Sequence, residues 1–379
     1  MLRISHLHPN IFTKSKKHYK TGQRSSHYDD ADLNKPMEVA MSEKGSYIIV
    51  GENIHCTRVR LTGGKFVEEM PDGSFSLVFS EKGKTSHLPI PESVIKGDNF
   101  RDGKVRHVSV AVHQGLYGSG KEKDLGKRYI QAMALEQEAR GAWFLDLNVD
   151  EFSMETDEKL EAVAWAAGII QEISSIPLSI DSSEPEILEA GLAACDKSKG
   201  VPMVNSVSLE RSSLIPIAAK QGACIIAGAT GRESMPESKE ERLANIEELM
   251  KILKSEGFED NRIFIDPLVY PVSVSQDNGV VFIETVKSLR EIYGKEIHFA
   301  PGLSNISHGM PKRNIINQVF ARLCLEAGCD GGIVDPKQIN DGILAGIDYN
   351  DSLYGLAKEL LLGNDEYGMN YISAFRESK

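Results

Sequence analysis

A recurrent pairing marks this chain: a short apolar run, then an acid or an amide. Tyr47–Gly51 precedes Glu52 and Asn53, Trp143–Leu147 contains Asp146 and leads to Asn148, and Leu178–Ile180 leads to Asp181. Met203–Val204 leads to Asn205, Ile263–Ile265 to Asp266, Ile297–Ala300 to Gly302-Leu303-Ser304-Asn305, and Gly331–Val334 to Asp335. Aspartate accepts a pair of N–H groups, and asparagine carries both an acceptor and donors, so it reads an amide edge. Lys and Arg are sparse in this pattern, which disfavours phosphate. A divalent cation held by carboxylates and water stays open. A heterocycle with several N–H donors and C=O acceptors suits the set well. Asp and Asn also favour strand ends and helix caps for structural reasons alone. That accounts poorly for all of them together, because the helix caps are expected later, at Ser183 and Ser208.

The elements that must hold these residues are legible from periodicity. With Cys224–Ala227, the apolar runs number eight and read as buried parallel strands. Amphipathic patterns over Leu125–Arg140, Thr156–Ser174, Glu184–Ala194, Leu209–Gln221, Lys239–Glu256, Val280–Tyr293, Lys312–Ala327 and Leu353–Leu362 alternate with them as helices. Eight such units predict an α/β fold, a (β/α)8 TIM barrel, whose C-terminal strand ends share one rim where active sites are built. No GxGxxG follows the first strand, which speaks against an open dinucleotide-binding sheet.

About 70 residues separate the first strand from the first helix, a length typical of functional or oligomeric loops. Within residues 57–124, the stretch Lys65–Val110 predicts a β-hairpin insertion in the first βα loop. Gly115-Leu-Tyr-Gly-Ser-Gly-Lys-Glu122 approaches a phosphate-binding loop, but Glu122 stands where a Mg²⁺-holding Ser or Thr belongs. His55 and Cys56 are adjacent without spaced partners, a poor zinc signal, so no metal is expected.

The net charge is −12, which argues against nucleic acid. No apolar run reaches the roughly 18 residues of a membrane span. The odd, irregularly spaced cysteines fit reduced thiols in the cytoplasm. Residues 1–45 begin with a basic segment (Arg3, Lys14, Lys16, Lys17, Lys20, Arg24) of low hydrophobicity, expected to be a disordered extension. The barrel is expected over 46–365, followed by a tail over 366–379.

Five ordered segments carry a resemblance: FLDLNVD (144–150), IDSSEPEILEAGL (180–192), VNSVSLE (204–210), FIDPLVYPVSVSQD (264–277) and GLSNISHGMPKRNIINQVF (302–320). The chain resembles the pterin-binding methyltetrahydrofolate:corrinoid methyltransferases, including the folate module of cobalamin-dependent methionine synthase, over roughly residues 47–335. The resemblance implies a barrel of the dihydropteroate synthase type and methyl transfer between N5 of methyltetrahydrofolate and the cobalt of a corrinoid (cobalamin) on a separate protein. It implies that Asp181, Asn205 and Asp266 hydrogen-bond the pterin and that Asn305 reaches N5, with Asn305 and Asp266 catalytic. Asp146, Asn148, Ser304, Gln276, Glu52 and Arg313 are implied as pocket neighbours, and a homodimer is implied as the assembly. The sequence departs from the family where Gly51-Glu52-Asn53-Ile54-His55-Cys56 replaces the usual Gly-Glu-Arg opening, and in the insertion. The competing readings are dihydropteroate synthase, whose basic pyrophosphate-binding positions hold Ser304-Asn305 and Asp335-Pro336 here, and a non-catalytic pterin-binding protein.

Overall fold

A computed structural model describes residues 47–81 and 83–376. The expected N-terminal extension lies outside the described residues. The strands are β1 Ile48–His55, β2 Val59–Leu61, β3 Val67–Glu69, β4 Phe75–Glu81, β5 Lys84–Pro89, β6 Lys104–Arg106, β7 Ala142–Asn148, β8 Leu178–Asp181, β9 Met203–Val207, β10 Cys224–Gly228, β11 Ile263–Asp266, β12 His298–Phe299 and β13 Gly331–Val334. Eight of them form one parallel sheet in the order β12-β11-β10-β9-β8-β7-β1-β13. The two outer strands meet through a parallel bridge between Gly302 and Ile333 and a hydrogen bond from Ile333 N to Pro301 O at 2.9 Å. The sheet is therefore a closed barrel, as the alternation predicts.

Strand alternation sorts the apolar residues into two cores. Ile48, Val50, Phe144, Met203, Cys224, Ile226, Phe264 and Ala300 fill the lumen, where Phe144 and Phe264 meet edge to face at 6.0 Å. Their outward neighbours, among them Ile49, Leu145, Ile180, Val204 and Ile265, pack under the helices. The seam is tight at Gly331. A Cβ there would sit 2.6 Å from the Ile48 carbonyl oxygen and 2.7 Å from that of Phe299, both backbone atoms.

The first βα connection is more elaborate than a hairpin. It holds a three-stranded antiparallel sheet, β3-β4-β5, a separate β2-β6 pair, and a helix over His107–Tyr117. That helix crosses the next one, Gly120–Ala139, which starts five residues before the expected Leu125. Gly126 makes the crossing possible, since a Cβ there would lie 2.5 Å from Ala111 O. The phosphate-loop lookalike is the junction between these helices, where Ser119 and Glu122 form a capping box.

Other expectations are corrected by capping and packing. The helix expected from Leu209 begins at Ile215 after a short 3₁₀ turn. Ser183 is not a helix cap: Glu184 takes that position, and the Ser183 N–H and hydroxyl both turn to Asp150. Ser208 is not a helix cap either: it accepts from Arg211 N at 3.2 Å in a turn ahead of the 3₁₀ segment, and Leu214 precedes the helix. The segment expected as a tail is helical over Met369–Arg376, and fully buried Tyr371 fastens it to the barrel. No helix among the described residues is long and apolar enough to cross a membrane.

Because the Gly331 obstruction is backbone rather than side chain, Gly331→Ala is expected to cost about 1–3 kcal/mol as an overpacked core position does. Urea unfolding checks this; an unchanged midpoint would mean the seam is looser than its geometry indicates.

Candidate active site

The polar residues are the upward continuation of the lumen core. Counting by twos from each lumen residue gives Glu52 after Val50, Asp146 and Asn148 after Phe144, Asn205 after Met203, Asp266 after Phe264 and Asp335 after Ile333. Asp181 is the last residue of β8, paired in register with Asn205. Each stands at the C-terminal end of its strand, above the buried apolar core of the lumen.

One group consists of two hydrogen-bonded sets side by side, Asn205–Asp146–His55 and Asn148–Asp181. Asn205 Nδ2 donates to Asp146 Oδ2 at 3.1 Å, and Asn148 Nδ2 donates to Asp181 Oδ2 at 3.0 Å. His55 joins through Nε2, 2.8 Å from Asp146 Oδ2. Asp146 is fully buried and its Oδ1 has no partner. His55 arrives there because β1 bulges: Gly51 aligns with Leu145 but Ile54 with Leu147, so one extra residue turns His55 inward. Cys56 is buried elsewhere, so the pair His55–Cys56 is not a ligand set. Ligand atoms of His55, Asp146 and Asp181 do lie within 4.8 Å of one another. Each asparagine amide donates to one of the two carboxylates, and the second oxygen of Asp146 is left without a partner.

A second group surrounds Asn305. This residue is exposed on a 3₁₀ turn, Leu303–Ser307, with its amide against Gly302. Asp266 accepts from Leu268 N at 2.9 Å and from the Gly302 backbone. Arg313 braces the turn, its Nε bonding Ser307 Oγ at 3.0 Å and its Nη2 the Ser304 carbonyl at 2.7 Å. Glu52 pairs with Arg58 at 2.7 Å. Glu52, Ser304 and Arg313 line a cavity of about 260 Å³. Gln276 stands apart: its Oε1 faces Tyr367 N at 3.4 Å, linking a rim loop to the C-terminal segment.

Burial governs the protonation of these groups. It pushes Asp181 up to about 7, helped by the charge of Asp146 and opposed by His55 and the Asn148 amide. Burial likewise pushes Asp266 up to about 6 against its backbone donors and Arg242. For His55 burial works against the charged ring, but the hydrogen bond and charge of Asp146, with Asp181, outweigh it and the pKa rises. Glu52 is raised by burial despite Arg58. The two aspartates hold protons in the fold that they lose near 3.8 when unfolded. Their stabilisation is thus complete below about 4 and fades as pH climbs through about 6 to 7.

Sequence reasoning misses two contributors. His55 reads from the sequence only as a poor zinc ligand, because a bulge leaves no mark in strict alternation. Arg242, one helix turn into Lys239–Ser255, is buried against the Tyr270 ring at 4.7 Å and tempers Asp266. A charged residue on the buried face of a helix is its available signal.

Residues 121–335 match the pterin-binding enzyme family. The chain is 31% identical to methylcorrinoid:tetrahydrofolate methyltransferase of Eubacterium limosum over 264 residues, which is 68% of this chain and 90% of that protein. It is 29% identical over 221 residues to methionine synthase of Mycobacterium leprae, covering 55% of this chain and 18% of that much longer protein. Dihydropteroate synthase from Stenotrophomonas maltophilia superposes with a TM-score of 0.48 at 15% identity, over 60% of this chain and 87% of that one. With a family match spanning the rim from Asp146 to Asp335 and a relative aligned along most of its length, the chain belongs to the pterin-binding enzymes.

Proposed function

We propose that the protein transfers a methyl group between N5 of tetrahydrofolate and a corrinoid carried by a separate protein. The observation that carries this reading is the layer of Asp146, Asn148, Asp181, Asn205 and Asp266 above the lumen core, in a chain aligned with a methylcorrinoid:tetrahydrofolate methyltransferase. The edge of a reduced pterin offers a guanidine-like pair of N–H donors and a carbonyl. Asp181 and Asp266 accept from the donors, and Asn205 reads the amide edge. Asp146 and His55 lie beneath as the support that fixes the orientation of Asn205.

A methyl on N5 leaves poorly because the amine nitrogen must take the bonding pair. Hydrogen bonding at N5 makes the nitrogen a better leaving group, and Asn305 supplies that contact, held on its turn by Arg313. When methyl leaves N5 the nitrogen gains a proton; when methyl arrives it gives one up. The corrinoid supplies the strongly nucleophilic or methyl-bearing metal, and the chain's part is to bind, orient and stabilise. Large apolar side chains stand exposed on the connections that leave the rim: Met154 after β7, Met235 after β10, Val274 after β11, and Val59 and Leu61 in β2. These suit docking of the corrinoid protein over the mouth. The homodimer implied by the resemblance belongs to the same proposal, and molar mass in solution reads it.

Incubating the protein with tetrahydrofolate and free methylcorrinoid, and following the corrinoid spectrum together with methyltetrahydrofolate, tests the activity directly. No transfer above the protein-free rate, in either direction, would sink the proposal. Asn305→Ala is expected to lower kcat about a hundredfold, as loss of a transition-state hydrogen bond does, while pterin affinity changes by less than about threefold. Equal losses in both would contradict the N5 role. Since an ionised carboxylate is the better acceptor, pterin binding is expected to tighten as pH rises through about 6 to 7 and to expel protons at pH 6. Calorimetric titration in buffers of differing ionisation enthalpy reads this, and identical heats in all buffers would show that no aspartate titrates on binding.

A further inference from the structure

The insertion after β1 encloses a cavity of about 570 Å³ that the rim chemistry leaves unused. It shares Arg58, Asp335 and Gln338 with the 260 Å³ cavity beside Glu52, Ser304 and Arg313, so the two spaces adjoin. Its aromatic lining is Phe66, Phe79 and Tyr129; the rings of Phe79 and Tyr129 meet at 5.0 Å. Basic side chains Arg58, Arg60 and Lys337 line the cavity too, together with the carboxylates of Glu136 and Asp335. Two of these cations are matched, Arg58 by Glu52 at 2.7 Å and Lys337 by Glu136 at 2.6 Å. Arg60 is not. Its guanidinium stacks on Phe66 at 4.2 Å, its Nε is buried without a hydrogen-bond partner, and no carboxylate among the described residues lies within ion-pair distance. Burial, followed by the charges of Arg60 and Arg58, pushes His107, which is hydrogen-bonded to Tyr129 at 3.0 Å, down to about 3, so it stays neutral and the cavity's positive charge rests on Arg58, Arg60 and Lys337.

An aromatic slot ending in an unmatched, ring-oriented guanidinium calls for a ligand with a flat ring followed by a carboxylate. A folate has that part: beyond the pterin comes a p-aminobenzoyl ring, then glutamate. We infer that the annex built by the insertion seats the p-aminobenzoyl-glutamate tail of the folate, with the ring between Phe66, Phe79 and Tyr129 and a glutamate carboxylate on Arg60. The inference rests on the pterin-binding reading of the rim. It assigns the insertion to recognition of the whole cofactor, which the rim alone does not distinguish from a bare pterin.

The test compares tetrahydrofolate with 6-methyltetrahydropterin, which keeps the ring system and lacks the tail, by equilibrium binding to the full chain. The wild-type protein is expected to prefer tetrahydrofolate by about tenfold or more, the size of one charge-assisted contact. Arg60→Ala is expected to erase most of that preference by weakening tetrahydrofolate alone, and Arg60→Lys to restore part of it. No preference in the wild type overturns the inference without needing any variant, and so does an Arg60→Ala protein that keeps the preference or weakens both ligands equally. Failure of the wild type to bind either ligand instead rejects the pterin reading on which it rests.

Discussion

Two-residue alternation along the barrel strands is the constraint from which the rest follows. The residue that plugs the lumen decides which residue stands above it, so Phe144 commits Asp146 and Phe264 commits Asp266 to the inner face. The polar layer over this apolar core is largely buried. Burial, with the charge of Asp146 beside it, explains why Asp181 holds its proton to about 7. Asparagine amides and one histidine supply the donors: Asn148 from the strand beside Asp181, Asn205 from across β8, and His55 through the bulge in β1. Fold and chemistry are thus one pattern, apolar below and hydrogen-bonding above.

Much of this pattern is legible in the order of the amino acids alone. The eight strands fall within a few residues of the apolar runs, because buried parallel strands are continuous in hydrophobicity and bounded by polar residues. The inward carboxylates and amides are legible for the same reason. What stays hidden depends on departures from regularity. His55 faces inward only because an extra residue sits between Gly51 and Ile54, and a similar offset in β9 lies between Val204 and Val207. Bulges of this sort carry no compositional signature, and they recur beside active sites since they re-aim a side chain. The helix at His107–Tyr117 is hidden because it lies in a connection that reads as a hairpin, and its packing depends on close approach at Gly115 and Gly126. Arg313 is legible as a site neighbour, but its contacts show it bracing the Asn305 turn through Ser304 and Ser307.

The insertion shows how a barrel gains a wall without altering its frame. β2 and β6 pair with each other and β3, β4 and β5 form their own sheet, so none adds to the barrel's hydrogen-bonded circuit. The strand positions that aim Asp181, Asn205 and Asp266 are left alone while a new surface rises beside them. Such a division lets the loop region vary in shape with little consequence for the alignment of those side chains.

The last helix has a different relation to the mouth. Tyr371, fully buried, donates its hydroxyl to the Lys312 carbonyl at 3.2 Å, at the foot of the loop that presents Asn305. Tyr367 donates its N–H to Gln276, in the loop that follows Asp266. One short segment therefore ties together the loops that follow β11 and β12, although it lies dozens of residues beyond either. A side chain lost from its inner face would loosen both loops at once, making the far end of the chain a silent partner in setting how firmly the mouth is held.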